Sequence, residues 1–189
     1  MTPEEVLESI EKVAPRRGLP IIGPKRGALL DEILEKHKPS TILEVGTLVG
    51  YSAIRMGRHL KNGQKVVCVE LNGDLADVAR SNVAKAGLSD RIEVAVGDAK
   101  EILRSLPDPL DLVFLDAVKE DYIVYLKSVE RLLHRGSVVV ADNVKSHAQE
   151  MKPYLEYVRN SGFYRSEYRE AQSNYGTDKG DAVEVSVRL

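Results

Sequence analysis

Two apolar runs of the kind that fill buried strands end in bare oxygen donors. In DLVFLDAVKEDY, Leu112, Val113, Phe114 and Leu115 lead into Asp116, and Lys119 follows shortly after. In SVVVADNV, Val138, Val139, Val140 and Ala141 lead into Asp142 and Asn143. Two carboxylates and an amide are hard ligands, suited to Mg²⁺ or another divalent cation that keeps some waters and takes further oxygens from a substrate. Zinc is disfavoured, because His37, His59, His134 and His147 show no paired spacing and no cysteine lies near them. A divalent ion at Asp116, Asp142 and Asn143 lowers the pKa of a coordinated hydroxyl and orients it. Lys119 is then a candidate proton acceptor, since nearby positive charge lowers the pKa of a lysine. Each feature alone has a plainer reading: a helix N-cap for Asp116, a polar turn for ADN, a solvated surface charge for Lys119. Their occurrence together at two strand ends favours the metal.

The elements that must hold these residues alternate between strand and helix. PEEVLESIEKVA and KRGALLDEILEKH carry apolar residues at helical spacing, and Pro39 closes the second. TILEVG reads as a first strand and is followed by a helix from Tyr51 to Leu60; KVVCVEL is the second, followed by a helix over 74–86 that ends at Gly87. RIEVAVGD, LDLVFLD and SVVVAD are the next three strands, separated by helices in AKEILRSL and YIVYLKSVERLL. After a helix over 151–160, FYRSEYREAQ and DAVEVSVRL read as a hairpin joined by SNYGTDKG. Val183, Val185 and Val187 alternate with Glu184 and Ser186, the mark of a half-buried strand. The expectation is an α/β, Rossmann-like fold: a mainly parallel seven-stranded sheet, a C-terminal antiparallel hairpin and helices on both faces. One domain over 1–189 is expected, with 1–20 as a helical cap.

In such sheets the ligand lies beyond the carboxyl ends of the strands. The first strand runs into EVGTLVGYS, where Gly46 and Gly50 allow a tight turn and close approach to the backbone. This is not the G-x-G-x-x-G fingerprint, and Glu44 stands where a pyrophosphate prefers no anion. An acid beside a glycine turn suits a cationic ligand. Glu70, ending the second strand, is placed to bond two ribose hydroxyls, and Asp98, ending the third, to reach an adenine amino group. Ribose, adenine, a positive centre and no phosphate together describe S-adenosylmethionine. The plainer alternative is that each acid caps the helix after it.

Composition supports an ordinary globular protein: 189 residues, 43% hydrophobic, 30% charged, with a formal net charge of −2. No global basic field favours nucleic acid. Arg16, Arg17, Lys25 and Arg26 form a local basic cluster, read as solvated charges around a site mouth. The one cysteine, Cys68, sits in an apolar run and reads as a core residue. The acidic, amphipathic N-terminus is unlike a signal peptide, and no run of apolar residues spans a bilayer, so a cytoplasmic location is expected.

These residues resemble the class I, metal-dependent O-methyltransferases of the catechol O-methyltransferase type, from about Ile21 to Leu189. ILEVGTLVGYSAIRMGRHL is similar to that family's cofactor loop, VVCVELN to its ribose strand, VFLDAVKEDY and VVVADNV to its two metal strands, and LPIIGPKRG to the loop over the cofactor. The resemblance implies Asp116, Asp142 and Asn143 as metal ligands and Lys119 as the base. It implies Ile22, Glu44, Gly46, Ser52, Glu70, Asp98, Ala99 and Asp116 as cofactor residues. Departures fall on the acceptor side. A glutamate binds the second catechol hydroxyl in the mammalian enzyme, and ungapped counting puts Ser173 there; Glu167 or Glu170 substitutes only if the strand register slips. That enzyme's tryptophan walls are absent, and Val118 stands beside Lys119. The implied reaction is Mg²⁺- and S-adenosylmethionine-dependent methylation of a small catechol-like vicinal diol. Two alternatives stand beside it: methylation of a hydroxyuridine in tRNA, and a non-catalytic cofactor-binding protein on the same fold. The hairpin edge leaves a homo-oligomer open.

Overall fold

A computed structural model describes residues 1–106, 109–172 and 180–189. Five strands, β1 (Thr41–Val45), β2 (Lys65–Glu70), β3 (Ile92–Val96), β4 (Leu110–Leu115) and β5 (Leu133–Ala141), run parallel. Strands β6 (Tyr164–Ala171) and β7 (Asp181–Arg188) form the antiparallel hairpin. The seven-stranded sheet has the order β3-β2-β1-β4-β5-β7-β6. Chain order reverses between β1 and β4, so a crevice opens above their carboxyl ends, where Gly46 and Asp116 lie.

Helices cover both faces. Helices α1 (Pro3–Arg17), α2 (Gly23–His37), α3 (Tyr51–Gly57) and α4 (Gly73–Lys85) pack on one, against Ile42, Phe114, Val138 and Val140. The short α5 (Ala99–Ile102), α6 (Tyr122–Val129) and α7 (Lys152–Asn160) pack on the other, against Leu43, Val45, Val113 and Leu115. Neighbouring strand residues thus enter different cores, which is why the strands read as unbroken apolar runs. Helix α1 starts with a capping box between Thr2 and Glu5 and buries Val6, Leu7, Ile10 and Ala14 on one stripe.

Some expected elements are shorter. The helix after β1 ends at Gly57 rather than at Leu60, and α6 ends at Val129. A turn over Glu130–Leu132 then delivers Leu133 to pair with Leu110, so β5 begins earlier than its valine run suggests. Strand β7 also differs from the half-buried strand expected. It lies inside the sheet, between β5 and β6, so Glu184 and Ser186 are as buried as Val183 and Val185. The Arg159 guanidinium pairs with both oxygens of Glu184, at 2.8 and 2.6 Å, and the Ser186 hydroxyl lies 2.8 Å from that of Ser166. Partners make such burial tolerable. Cys68 is fully buried, as its apolar surroundings imply, and burial, then the Glu44 carboxylate, push its thiol well up.

Candidate active site

A cavity of about 580 Å³ runs over the strand ends. Ile22, Gly46, Ser52, Glu70, Asp98 and Ala99 line one part of it; Asp116, Lys119 and Asn143 line another. Gly46 makes the turn out of β1 with φ +87°, and its N–H donates to the Val69 carbonyl at 2.9 Å.

Glu70 organises that turn. One oxygen accepts the N–H groups of Thr47 at 3.2 Å and Leu48 at 2.9 Å; the other accepts the N–H of Asn72 at 3.0 Å. Helix α4 is capped by the Asn72 side chain, so Glu70 is not the cap of the helix that follows it. Asp98 does both things: it caps α5 through the Lys100 N–H at 2.8 Å and also lines the cavity. Glu44 lies behind the wall, fully buried, with its carboxylate accepting the hydroxyls of Thr47 and Ser52. Those two side chains, not Glu44, face the cavity. Burial holds the Glu44 carboxyl at about 7, against the opposing bonds from Ser52 and Thr47.

At the other end, each of two carboxylates is matched by a cation. The Lys119 ammonium donates to Asp116 Oδ1 at 2.8 Å and to the Tyr122 hydroxyl at 2.9 Å. Arg26 Nη1 lies 3.0 Å from Asp142 Oδ2 and 3.2 Å from Oδ1. Asp142 is almost wholly buried, and burial, then the negative charge of Asp116, raise its carboxyl to about 7 while Arg26 opposes the shift. Asn143 follows with φ +64° and donates from Nδ2 to Asp181 Oδ2 at 2.9 Å.

Two carboxylates and one amide oxygen are donor types that suit a hard divalent cation; Asp116 and Asn143 line the cavity, whereas Asp142 borders a small neighbouring void with Ile22 and Arg26. Among the described residues no group of three or more His, Cys, Asp or Glu forms a metal cluster. An oxygen set completed by an amide is therefore the candidate, rather than a zinc-type cage.

Three residues here escaped the sequence reading. Arg26, expected among the solvated charges, is turned inward onto Asp142, its side chain only 15% exposed. Arg16, Arg17 and Lys25 of that cluster are exposed. Tyr122, fully buried, had a signal in its helical spacing from Lys119. Asp181 had none, because only the antiparallel course of β7 brings its first residue to the strand ends of the parallel set. Ser173 lies outside the described residues. Glu167 and Glu170 pair in register with Val185 and Ala182, neither lines the cavity, and Glu170 is bridged to Lys145 at 3.1 Å. Val118, beside Lys119, lines the cavity and is half exposed.

A Rossmann-like sheet with this hairpin, and a cleft over its strand ends, defines the class I S-adenosylmethionine-dependent methyltransferases. The family model described as O-methyltransferase matches residues 3–159. The chain is 34% identical to catechol O-methyltransferase B of Danio rerio, over 99% of this chain and 73% of that protein. It is 45% identical to catechol O-methyltransferase of Mycobacterium tuberculosis, over 65% of this chain and 56% of that one. Among solved structures, the O-methyltransferase from Bacillus cereus in complex with S-adenosylhomocysteine superposes with a TM-score of 0.87 at 28% identity, covering 98% of this chain and 91% of the other. The Streptomyces achromogenes O-methyltransferase of tomaymycin synthesis, solved with S-adenosylmethionine, gives 0.86 at 26% identity, covering 98% and 90%. The chain belongs to the O-methyltransferase family. Its match to the catechol O-methyltransferase of Bos taurus spans 56% of that protein's length.

Proposed function

We propose that the chain transfers a methyl group from S-adenosylmethionine to one hydroxyl of a small catechol-like vicinal diol, with Mg²⁺ or a similar divalent cation at Asp116, Asp142 and Asn143. The observation that carries this reading is the Lys119 ammonium, held between the Asp116 carboxylate and the Tyr122 hydroxyl at the mouth of the cofactor cavity. Ile22, Gly46, Ser52, Glu70, Asp98 and Ala99 hold the methyl donor, with Glu44 bracing Ser52 from behind. The cation supplies Lewis-acid polarisation of the acceptor hydroxyl. Lys119 Nζ would accept the proton of that hydroxyl while its oxygen takes the methyl carbon and the S–CH₃ bond breaks, releasing S-adenosylhomocysteine. Asp116 and Tyr122 hold Nζ in place for that transfer. The rest of the work is orientation, with both reactants in one cleft.

The test is transfer of labelled methyl from S-adenosylmethionine to a catechol panel and to bulk tRNA, with Mg²⁺ or with EDTA. EDTA-sensitive label on a catechol is the expected result. Label on tRNA alone would replace the acceptor class. Cofactor binding with no label on either would support the non-catalytic alternative. The inward turn of Arg26 leaves one basic side chain fewer for a phosphate-facing surface, which favours the small acceptor.

A further inference from the structure

Resting on the metal site just proposed, we infer that Asp181 is a positioning residue that sets the orientation of the Asn143 side-chain amide, and so decides that an oxygen rather than an NH₂ group faces the cation. The loop after β5 wraps around this one carboxylate. Asp181 Oδ1 accepts the backbone N–H groups of Lys145 at 3.1 Å, Ser146 at 3.2 Å and Ala182 at 2.8 Å. Oδ2 accepts the Ser146 hydroxyl and, at 2.9 Å, Asn143 Nδ2.

An asparagine amide has two ends of nearly equal size, and only its partners determine which end points where. An ionised carboxylate can only accept. Asp181 therefore fixes the nitrogen of Asn143 on its own side and leaves Oδ1 for the opposite side. That choice matters to a hard cation, which binds carbonyl oxygen and finds no available lone pair on an amide nitrogen. The left-handed backbone of Asn143, φ +64°, is held by the same carboxylate through the two N–H groups that follow.

Asp181→Asn keeps the shape of the side chain and inverts this logic. Its Oδ1 can retain the three backbone bonds, which puts its NH₂ against Asn143. The Asn143 amide then turns, gives its oxygen to residue 181 and presents NH₂ to the cation. In the double variant Asp181→Asn with Asn143→Asp, the new carboxylate accepts from the amide at 181 with one oxygen and keeps the other for the metal. Glu170→Gln, which removes a negative charge from the same hairpin without touching Asn143 or Arg26, controls for long-range electrostatics; Arg26 Nη1, 3.7 Å from Asp181 Oδ2, loses that carboxylate only in the Asp181 variants.

The experiment is Mn²⁺ titration of the full chain followed by electron paramagnetic resonance, with Mg²⁺ as competitor, alongside S-adenosylhomocysteine affinity and thermal melting. Metal affinity of Asp181→Asn is expected to fall about 10- to 100-fold, the usual cost of losing a residue that orients a ligand. The double variant should recover most of that loss, Glu170→Gln should lose none of it, and cofactor affinity should hold throughout. Unchanged metal binding in Asp181→Asn overturns the inference while leaving the metal site standing. So does a loss that the double variant fails to recover, which would reduce Asp181 to a loop support, or an equal loss in Glu170→Gln. Absence of Mn²⁺ and Mg²⁺ binding by the native chain removes both the inference and the metal reading beneath it.

Discussion

Replacing Gly46 by alanine tests whether the cofactor turn is built on close backbone contact. A Cβ at position 46 would lie 2.3 Å from the Asp116 carbonyl oxygen and 3.1 Å from Ala117 Cα. Neither is a flexible side-chain end, so the ends of β1 and β4 must separate. The backbone there has φ +87°, which costs an L-residue about 1–2 kcal/mol. Forcing the extra carbon into a packed junction costs about 1–3 kcal/mol more. Gly63 supplies the matched control, since its φ is +85° and a Cβ there meets nothing within 4 Å. Gly63→Ala therefore carries the conformational cost alone.

The assay is thermal melting of both variants, with cofactor affinity measured by calorimetry. A loss of about 2–5 kcal/mol lowers Tm by roughly 5–15 °C in a chain of this size, and Gly63→Ala should lose only the conformational share of about 1–2 kcal/mol. Cofactor affinity should fall at least about tenfold in Gly46→Ala, because Asp116 and Ala117 border the same cavity, and stay unchanged in Gly63→Ala. Equal Tm losses in the two variants would refute the steric argument. Native cofactor affinity in Gly46→Ala would show that the turn tolerates widening.

Lys119→Ala should lower kcat about 10²- to 10⁴-fold with cofactor affinity nearly unchanged, and an unaltered turnover would end its role as base. Asp142→Ala should abolish cation-dependent turnover while cofactor binding persists; retained activity would displace the metal from these strands. Buried Glu44 has a folded-state pKa of about 7 against an ordinary 4.5, so the folded chain binds the extra proton between those values. Its contribution to stability therefore falls as pH rises from about 4.5 to about 7 and is level above. Relative to native protein, Glu44→Gln should gain on the order of 3 kcal/mol across that window, and a pH-independent difference in denaturant melts would contradict the assignment. Tyr122→Phe removes one acceptor of the Lys119 ammonium while leaving Asp116, so kcat should fall severalfold with little change in Tm; no kinetic effect would show that Asp116 alone fixes the lysine.

The parallel strands were legible in the sequence because both faces of the sheet are covered, which leaves uninterrupted apolar runs such as VVCV and LVFL. The acids that end them were legible for the same reason, since a carboxylate closing such a run has to meet something. Pairings that depend on distant segments were not. Nothing local says that β7 enters the sheet beside β5, so Glu184 was read as solvent-facing when Arg159, on α7, makes its burial tolerable. Arg26 fails in the same way: the basic cluster around it suggests solvent, and only the approach of α2 to β5 turns it onto Asp142. Glu44 shows the reverse limit. It is an acid near the end of β1, as its place in the apolar run implies, but nothing local signals the two hydroxyls that stand between it and the cavity.

The inserted position of β7 also spreads the cleft over strand pairings of very different range along the chain. Strands β1, β2 and β3, with the turns that carry Gly46, Glu70 and Asp98, pair with near neighbours along the chain. The other end of the cleft needs Val138 to find Val187 and Val140 to find Val185, and the junction beneath Gly46 needs the longest closure of all, Ile42 to Leu112. The strand ends that carry Glu70 and Asp98 thus rest on the shorter-range pairings, and the Gly46–Asp116 junction and the Asn143–Asp181 clasp both rest on the longer ones.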